Sequence, residues 1–138
     1  ITCKLKNELT VYLMIINVSG SENRTDEYDE MDVYQLNDFL EDMLHEKNEY
    51  YCVFTRITDV FGFDLKMRNC IRTYINTLDD SDWKLHISDD FTSFEVPVTD
   101  DSINEIYVKD NAESRSIIVK PYNQPFMEID MLFFKKHN

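Results

Sequence analysis

The sequence predicts an α+β fold, a mainly antiparallel sheet with two helices packed on one face. Three observations predict it. Residues 32 to about 47 carry apolar side chains at helical spacing. The second half of the chain breaks into short β-branched and aromatic runs separated by polar turns. The expected order is strand, acidic loop, helix, strand, helix and then several strands, which is the order of helices gathered on one side of an antiparallel sheet.

Residues 9–18 (LTVYLMIINV) are nearly all apolar and rich in β-branched side chains. They read as a central strand covered on both faces. Residues 19–32 form a polar segment containing Glu22, Asp26, Glu27, Asp29, Glu30 and Asp32, without periodicity, and read as an exposed loop. In the next segment Val33, Leu36, Phe39, Leu40, Met43 and Leu44 recur at spacings of three and four. Asp32 is its expected N-cap, with acids crowding the first turn where the helix dipole favours them, and Lys47 and Asn48 suit its end.

Residues 50–57 (YYCVFTRI) read as a strand, and Thr58 and Asp59 as a turn or helix cap. The following stretch fits two templates. Phe61, Phe63, Leu65 and Met67 alternate, whereas Met67, Cys70, Ile71, Tyr74, Ile75 and Leu78 follow helical spacing. The helical template has more matches, so the spacing predicts a helix over 66–78 with a short strand before it. Strands are expected at 83–87, 92–98, 106–110 and 116–122, with polar turns between them. Pro97 cannot donate to a ladder, so its strand is expected at an edge or with a bulge. Residues 126–134 read as a strand, because Met127, Ile129, Met131 and Phe133 share one face.

The 138 residues make one domain, 1–138, with no repeat or linker, and 43% apolar residues supply a core. The bias toward Ile, Asn, Asp, Tyr and Phe is what A+T-rich coding produces, which fits a low-GC bacterium, a phage or a large DNA virus. The formal net charge is −13. That opposes direct nucleic-acid binding, which depends on neutralising phosphates with Lys and Arg. It equally opposes an anionic membrane surface. It suits a protein partner with a basic surface, since charge complementarity steers encounter. The apolar run at 9–18 is too short to span a bilayer and no signal peptide is legible, so the expected location is cytoplasmic, with secretion as the alternative.

Motifs for chemistry are absent. Gly20 and Gly62 cannot build a phosphate loop, and there is no G-x-S-x-G or H-E-x-x-H pattern. Cys52 or Cys70 with His86 is a nucleophile–base combination, but both cysteines fall on apolar stretches, where a thiol serves as a small hydrophobe. Cys3, Cys52 and Cys70 lack zinc-ligand spacing. His45 and His137 read as solvated. Asp79, Asp80, Asp82, Asp89, Asp90, Asp100 and Asp101 occupy successive loops. Without a calcium-loop pattern they read as turn formers rather than ligands. No metal, cofactor or catalytic residue is expected.

Acidity interleaved with tyrosine is the remaining feature, since aromatics supply contact area at low entropy cost. The expected function is a non-enzymatic binding protein: an inhibitor, immunity protein or viral or phage antagonist that engages a basic surface on another protein. Its expected contact residues are Glu22, Asp26, Glu27, Tyr28, Asp29, Glu30, Asp32 and Tyr34. One alternative is an accessory or structural domain of a larger assembly, favoured by exposed apolar residues on an edge strand. Another is a secreted glycoprotein using the sequons at Asn17 or Asn23, with Cys3 in a disulfide.

Overall fold

The computed structural model describes residues 27–99 and 104–136. The expected strand at 9–18, most of the acidic loop, Cys3, Glu22, Asp26, Asp100, Asp101, His137 and both sequons lie outside the described residues.

After β1 (Asp29–Met31), helix α1 (Val33–Leu44) begins at Asp32, whose side chain accepts the Gln35 N–H at 2.7 Å. The Gln35 side chain accepts the Asp32 N–H in return at 2.9 Å, which completes a capping box. The cap stands where the sequence put it, but its surroundings differ. No acid occupies the first turn; the acids precede the helix. The helix also ends before 47. Glu46 turns left-handed (φ 58°), Lys47 N–H returns to the Asp42 carbonyl at 2.7 Å, and the Asn48 amide caps the Phe39 carbonyl at 3.0 Å.

Strands β2 (Tyr50–Asp59) and β3 (Asp64–Arg68) form a hairpin. Asp59 shapes its turn by accepting the N–H groups of Phe61 and Phe63 at 2.8 and 2.9 Å, and Gly62 takes the positive φ of 98° that the bend requires.

The second helix is not there. Residues 66–78 instead finish β3, turn at Asn69 (φ 54°) and continue as β4 (Arg72–Asn76). Exposure shows which period governs. Thr73 and Ile75 are buried and alternate with outward neighbours, whereas Ile71 and Leu78 of the supposed helical stripe are 63% and 94% exposed. The Thr-Tyr-Ile sequence, two β-branched residues flanking an aromatic one, suits a pleated strand, and pairing with β5 outweighs a short helical pattern. The described chain is therefore mostly antiparallel β-sheet, nine strands in two sheets with one helix.

The smaller sheet is a meander of β4, β5 (Lys84–Ser88) and β6 (Ser93–Pro97). Pro97 ends β6, and β6 has β5 as its described partner, in keeping with an edge position. The larger sheet adds β7 (Glu105–Asp110), β8 (Ser114–Lys120) and β9 (Met127–Lys135), in the order β1-β7-β8-β9-β2-β3. All described pairings are antiparallel.

One core joins these layers. Val33, Leu36, Phe39 and Leu40 of α1 pack with Ile75, Leu85 and Ile87 of the small sheet and Ile106, Ile117, Ile129 and Phe133 of the large one. Each such side chain contributes about 1.5–3 kcal/mol through burial. Phe39 meets Phe133 edge to face at 5.1 Å and Tyr50 at 5.5 Å, which fixes the helix over β9 and β2. Alternation along β9 sends Leu132 and Phe134 to the other face of the large sheet, where they form a second cluster with Val53 and Phe54. Among the described residues every buried side-chain nitrogen or oxygen has a partner.

Candidate interaction face

The expected contact residues that are described follow one another along β1 and into α1. Pairing of β1 with β7 sets Glu30 directly opposite Tyr107, and Met31 opposite Ile106. Ile106 and Met31 belong to the core layer, so the alternation of a strand turns Glu30, Glu105 and Tyr107 to the outer face together.

These side chains line a cleft of about 360 Å³ whose wall includes Glu30, Asp32, Asn104, Glu105 and Tyr107. Asn104 holds the start of β7 in place: its amide donates to the Val98 carbonyl at 2.8 Å and its oxygen accepts the Tyr122 N–H at 2.9 Å. The Tyr107 hydroxyl donates to Glu105 at 3.4 Å. Partial burial raises the Tyr107 phenol above its ordinary range, and the charges of Glu105 and Glu30 raise it further. The phenol therefore stays protonated as a donor in an acidic cleft, with Lys120 over its ring at 5.7 Å.

The other expected residues have different tasks. Glu27 pairs with Lys109 at 2.8 Å; that hydrogen bond and the lysine charge hold its carboxyl below the usual range and raise Lys109. Lys109 also lies 5.9 Å from the centre of the Tyr28 ring. Asp29 is exposed on β1. Asp32 divides its role between the cleft and the helix cap. Tyr34 leaves the group: it is 56% exposed and meets Trp83 edge to face at 5.3 Å. The structure thus gathers Glu30 and Asp32 with Tyr107, one of the tyrosines that the sequence interleaves with acids, and adds Asn104 and Glu105, which the sequence reading missed. The alternation of β7 was visible, but its pairing with β1 joins segments more than seventy residues apart.

The nucleophile and base candidates have different partners. His86 stacks on Tyr74, and its Nδ1 lies 3.5 Å from Glu95. Cys52 and Cys70 come together instead: the Thr55 hydroxyl reaches both sulfurs, and further contacts are with each other and with the Phe54 and Met67 carbonyls. Aspartates in the turns bond to backbone, Asp79 to Ser81 N–H at 3.0 Å and Asp89 to Phe91 and Thr92 N–H at 2.8 and 2.6 Å. Among the described residues no three His, Cys, Asp or Glu side chains converge to hold a metal ion, and no helix is long and apolar enough to cross a membrane.

No family model matches the chain, and neither the curated proteins nor the solved structures contain a significant match to it.

Proposed function

We propose that the protein is a non-enzymatic acidic binding protein, an inhibitor, immunity protein or viral or phage antagonist, whose outer β1–β7 face engages a basic surface on another protein. The observation that supports this reading is the cleft that Glu30, Asp32 and Glu105 line together with Tyr107, in a chain of net charge −13. Carboxylates in this density favour Lys- and Arg-rich partners and repel nucleic acid and anionic lipid. Tyr107 adds an aromatic surface to the same cleft. The reading includes a cytoplasmic location, supported by the free thiols of Cys52 and Cys70.

Affinity capture from the source cell or its host, followed by mass spectrometry, supplies the partner. Retention is expected to weaken as salt is raised and to be lost in Glu30→Lys/Glu105→Lys, with the fold intact by circular dichroism. Retention that ignores both salt and charge reversal would overturn the reading.

A second reading, an interaction domain of a larger assembly, is favoured by a different observation. Val60, Phe61 and Phe63 at the β2–β3 turn and Phe126 before β9 are exposed, with Phe61 and Phe126 in edge contact at 5.6 Å. Such a patch is a candidate for burial against another subunit. Light scattering separates the two: Phe61→Asp dissolves an assembly built on this patch and leaves the acidic face untouched.

A further inference from the structure

Cys52 and Cys70 lie on different segments, yet the hairpin register brings them together. Phe54 pairs with Arg68, Thr55 with Met67 and Arg56 with Lys66. Continuing that register two steps past the end of β3 sets Cys52 opposite Cys70. Backbone bonds mark the continuation: Asn69 N–H donates to the Val53 carbonyl at 2.9 Å and Cys70 N–H to the Cys52 carbonyl at 3.1 Å. Directly opposed residues of an antiparallel pair have Cα atoms about 4.5–5.5 Å apart. A disulfide spans about 4.4–6.8 Å between Cα atoms.

The side chains also converge. A register shift between Cys52 and Phe54, where β2 meets β9, lets Cys52 and Thr55 share the core face although they are three residues apart. The Thr55 hydroxyl then lies 3.5 Å from the Cys52 sulfur and 3.3 Å from the Cys70 sulfur. One oxygen thus touches both thiols.

The pair is buried but not sealed. Both cysteines help line a cleft of about 420 Å³, together with Leu44, Tyr51, Ile71 and Lys136. Leu44, Tyr51 and Ile71 are exposed, so the cleft opens to solvent beside them. The geometry points to a redox site here: Cys52 and Cys70 form a dithiol that a low-molecular-weight disulfide, reaching it through this cleft, converts to an intramolecular cross-strand disulfide.

The chemistry balances in two exchanges. The Cys52 thiol releases its proton to water, the thiolate so formed attacks one sulfur of the small disulfide, its S–S bond breaks, and the first small thiolate leaves. The hydrogen bond from Cys70 makes Cys52 the easier thiol to ionise, against the cost of burial and with further help from Thr55, and it correspondingly raises Cys70. Cys70 then passes its proton to the departed thiolate and attacks the Cys52 sulfur. The mixed S–S bond breaks, and the second small thiolate leaves and takes up from water the proton that Cys52 released. Two protein thiols have been oxidised and one small disulfide reduced to two thiols.

The new bond ties β2 to the corner at Asn69 where the chain passes from the large sheet into β4. Its expected effect is a more rigid junction between the sheets and a melting temperature higher by roughly 5–10 °C.

The test uses the chain with Cys3→Ser, folded, exposed to oxidised glutathione, then alkylated, digested and analysed by mass spectrometry. The expected product is a Cys52–Cys70 linked peptide, two hydrogens lighter than its parts and restored by dithiothreitol. Cys70→Ala is expected to hold glutathione on Cys52 as a stable mixed disulfide, formed more slowly than the link forms in the parent, because the hydrogen bond that eases ionisation of Cys52 is lost together with the resolving thiol. Two outcomes overturn the proposal: both cysteines staying alkylatable in the folded chain and linking only in denaturant, or each carrying glutathione with no link between them. The first arm needs no core substitution, so a poorly folding variant leaves it decisive.

Discussion

Tyr74 stacks on His86 across the β4–β5 pair, with ring centroids 4.9 Å apart and planes inclined by 29°. The two residues are direct register partners, and His86 in turn pairs with Glu95 on β6. This row of side chains crosses the whole small sheet on the face away from Ile75, Leu85 and Ile87. Ring stacking contributes about 0.5–1.5 kcal/mol beyond the area it buries. Tyr74→Ala is therefore expected to lower the urea midpoint by an amount equivalent to about 1 kcal/mol at unchanged slope. A double-mutant cycle with His86→Ala should return a favourable coupling; additive losses would show that the rings meet without stabilising the sheet.

Asp32 stands at the start of α1 and beside the acidic cleft. Its cap satisfies an N–H that the helix cannot, so Asp32→Ala should cost about 1 kcal/mol, read by chemical denaturation. Asp32→Ser keeps an accepting oxygen and removes the charge. It is expected to retain most of the stability, which separates the cap from any part the carboxylate has in binding.

Asp64 makes a two-pronged ion pair with Arg56, both N···O distances being 3.1 Å, and a contact with Lys66 at 3.2 Å. The hydrogen bond from Arg56 is the main cause holding its carboxyl below the ordinary range; Lys66 adds to this and slight burial opposes it. A carboxyl with a folded pKa below its unfolded value stabilises above the unfolded value, about 3.9. That contribution is lost as pH falls through the folded value. Asp64→Asn should then be less stable than the parent at neutral pH, by no more than about 1 kcal/mol for so open a pair. The gap should close below pH ~4. Thermal melts across that range check it; a gap that persists in acid would mean packing, not charge, is at stake.

The legible parts of the fold were those with long patterns or strong local chemistry. α1 was visible because six apolar residues repeat over three turns and an aspartate stands at the cap position. The strands from β5 onward were visible because aspartates and other turn formers divide them at short intervals. β4 was misread because Met67, Cys70, Ile71, Tyr74, Ile75 and Leu78 fit a helix by spacing, and a run of five strand residues is too short for its own period to prevail. Its neighbour across the sheet, β5, supplied the hydrogen bonds that settled the matter.

For the site, the division follows the same physics. The sequence by itself determined the excess of negative charge, the concentration of acids before α1, the cap at Asp32 and the apolar faces of most elements. These are set by composition and by neighbours a few residues away. Only the tertiary structure decided that β1 lies against β7, so that Glu105 and Tyr107 join Glu30. It alone brought the hairpin's register far enough past β3 to face Cys70 with Cys52, and it alone divided the described strands into two sheets around the one described helix. Pairing between distant strands depends on backbone groups that every residue carries alike. It leaves little mark on the residues themselves and becomes definite when the core on either side of the sheet is closed.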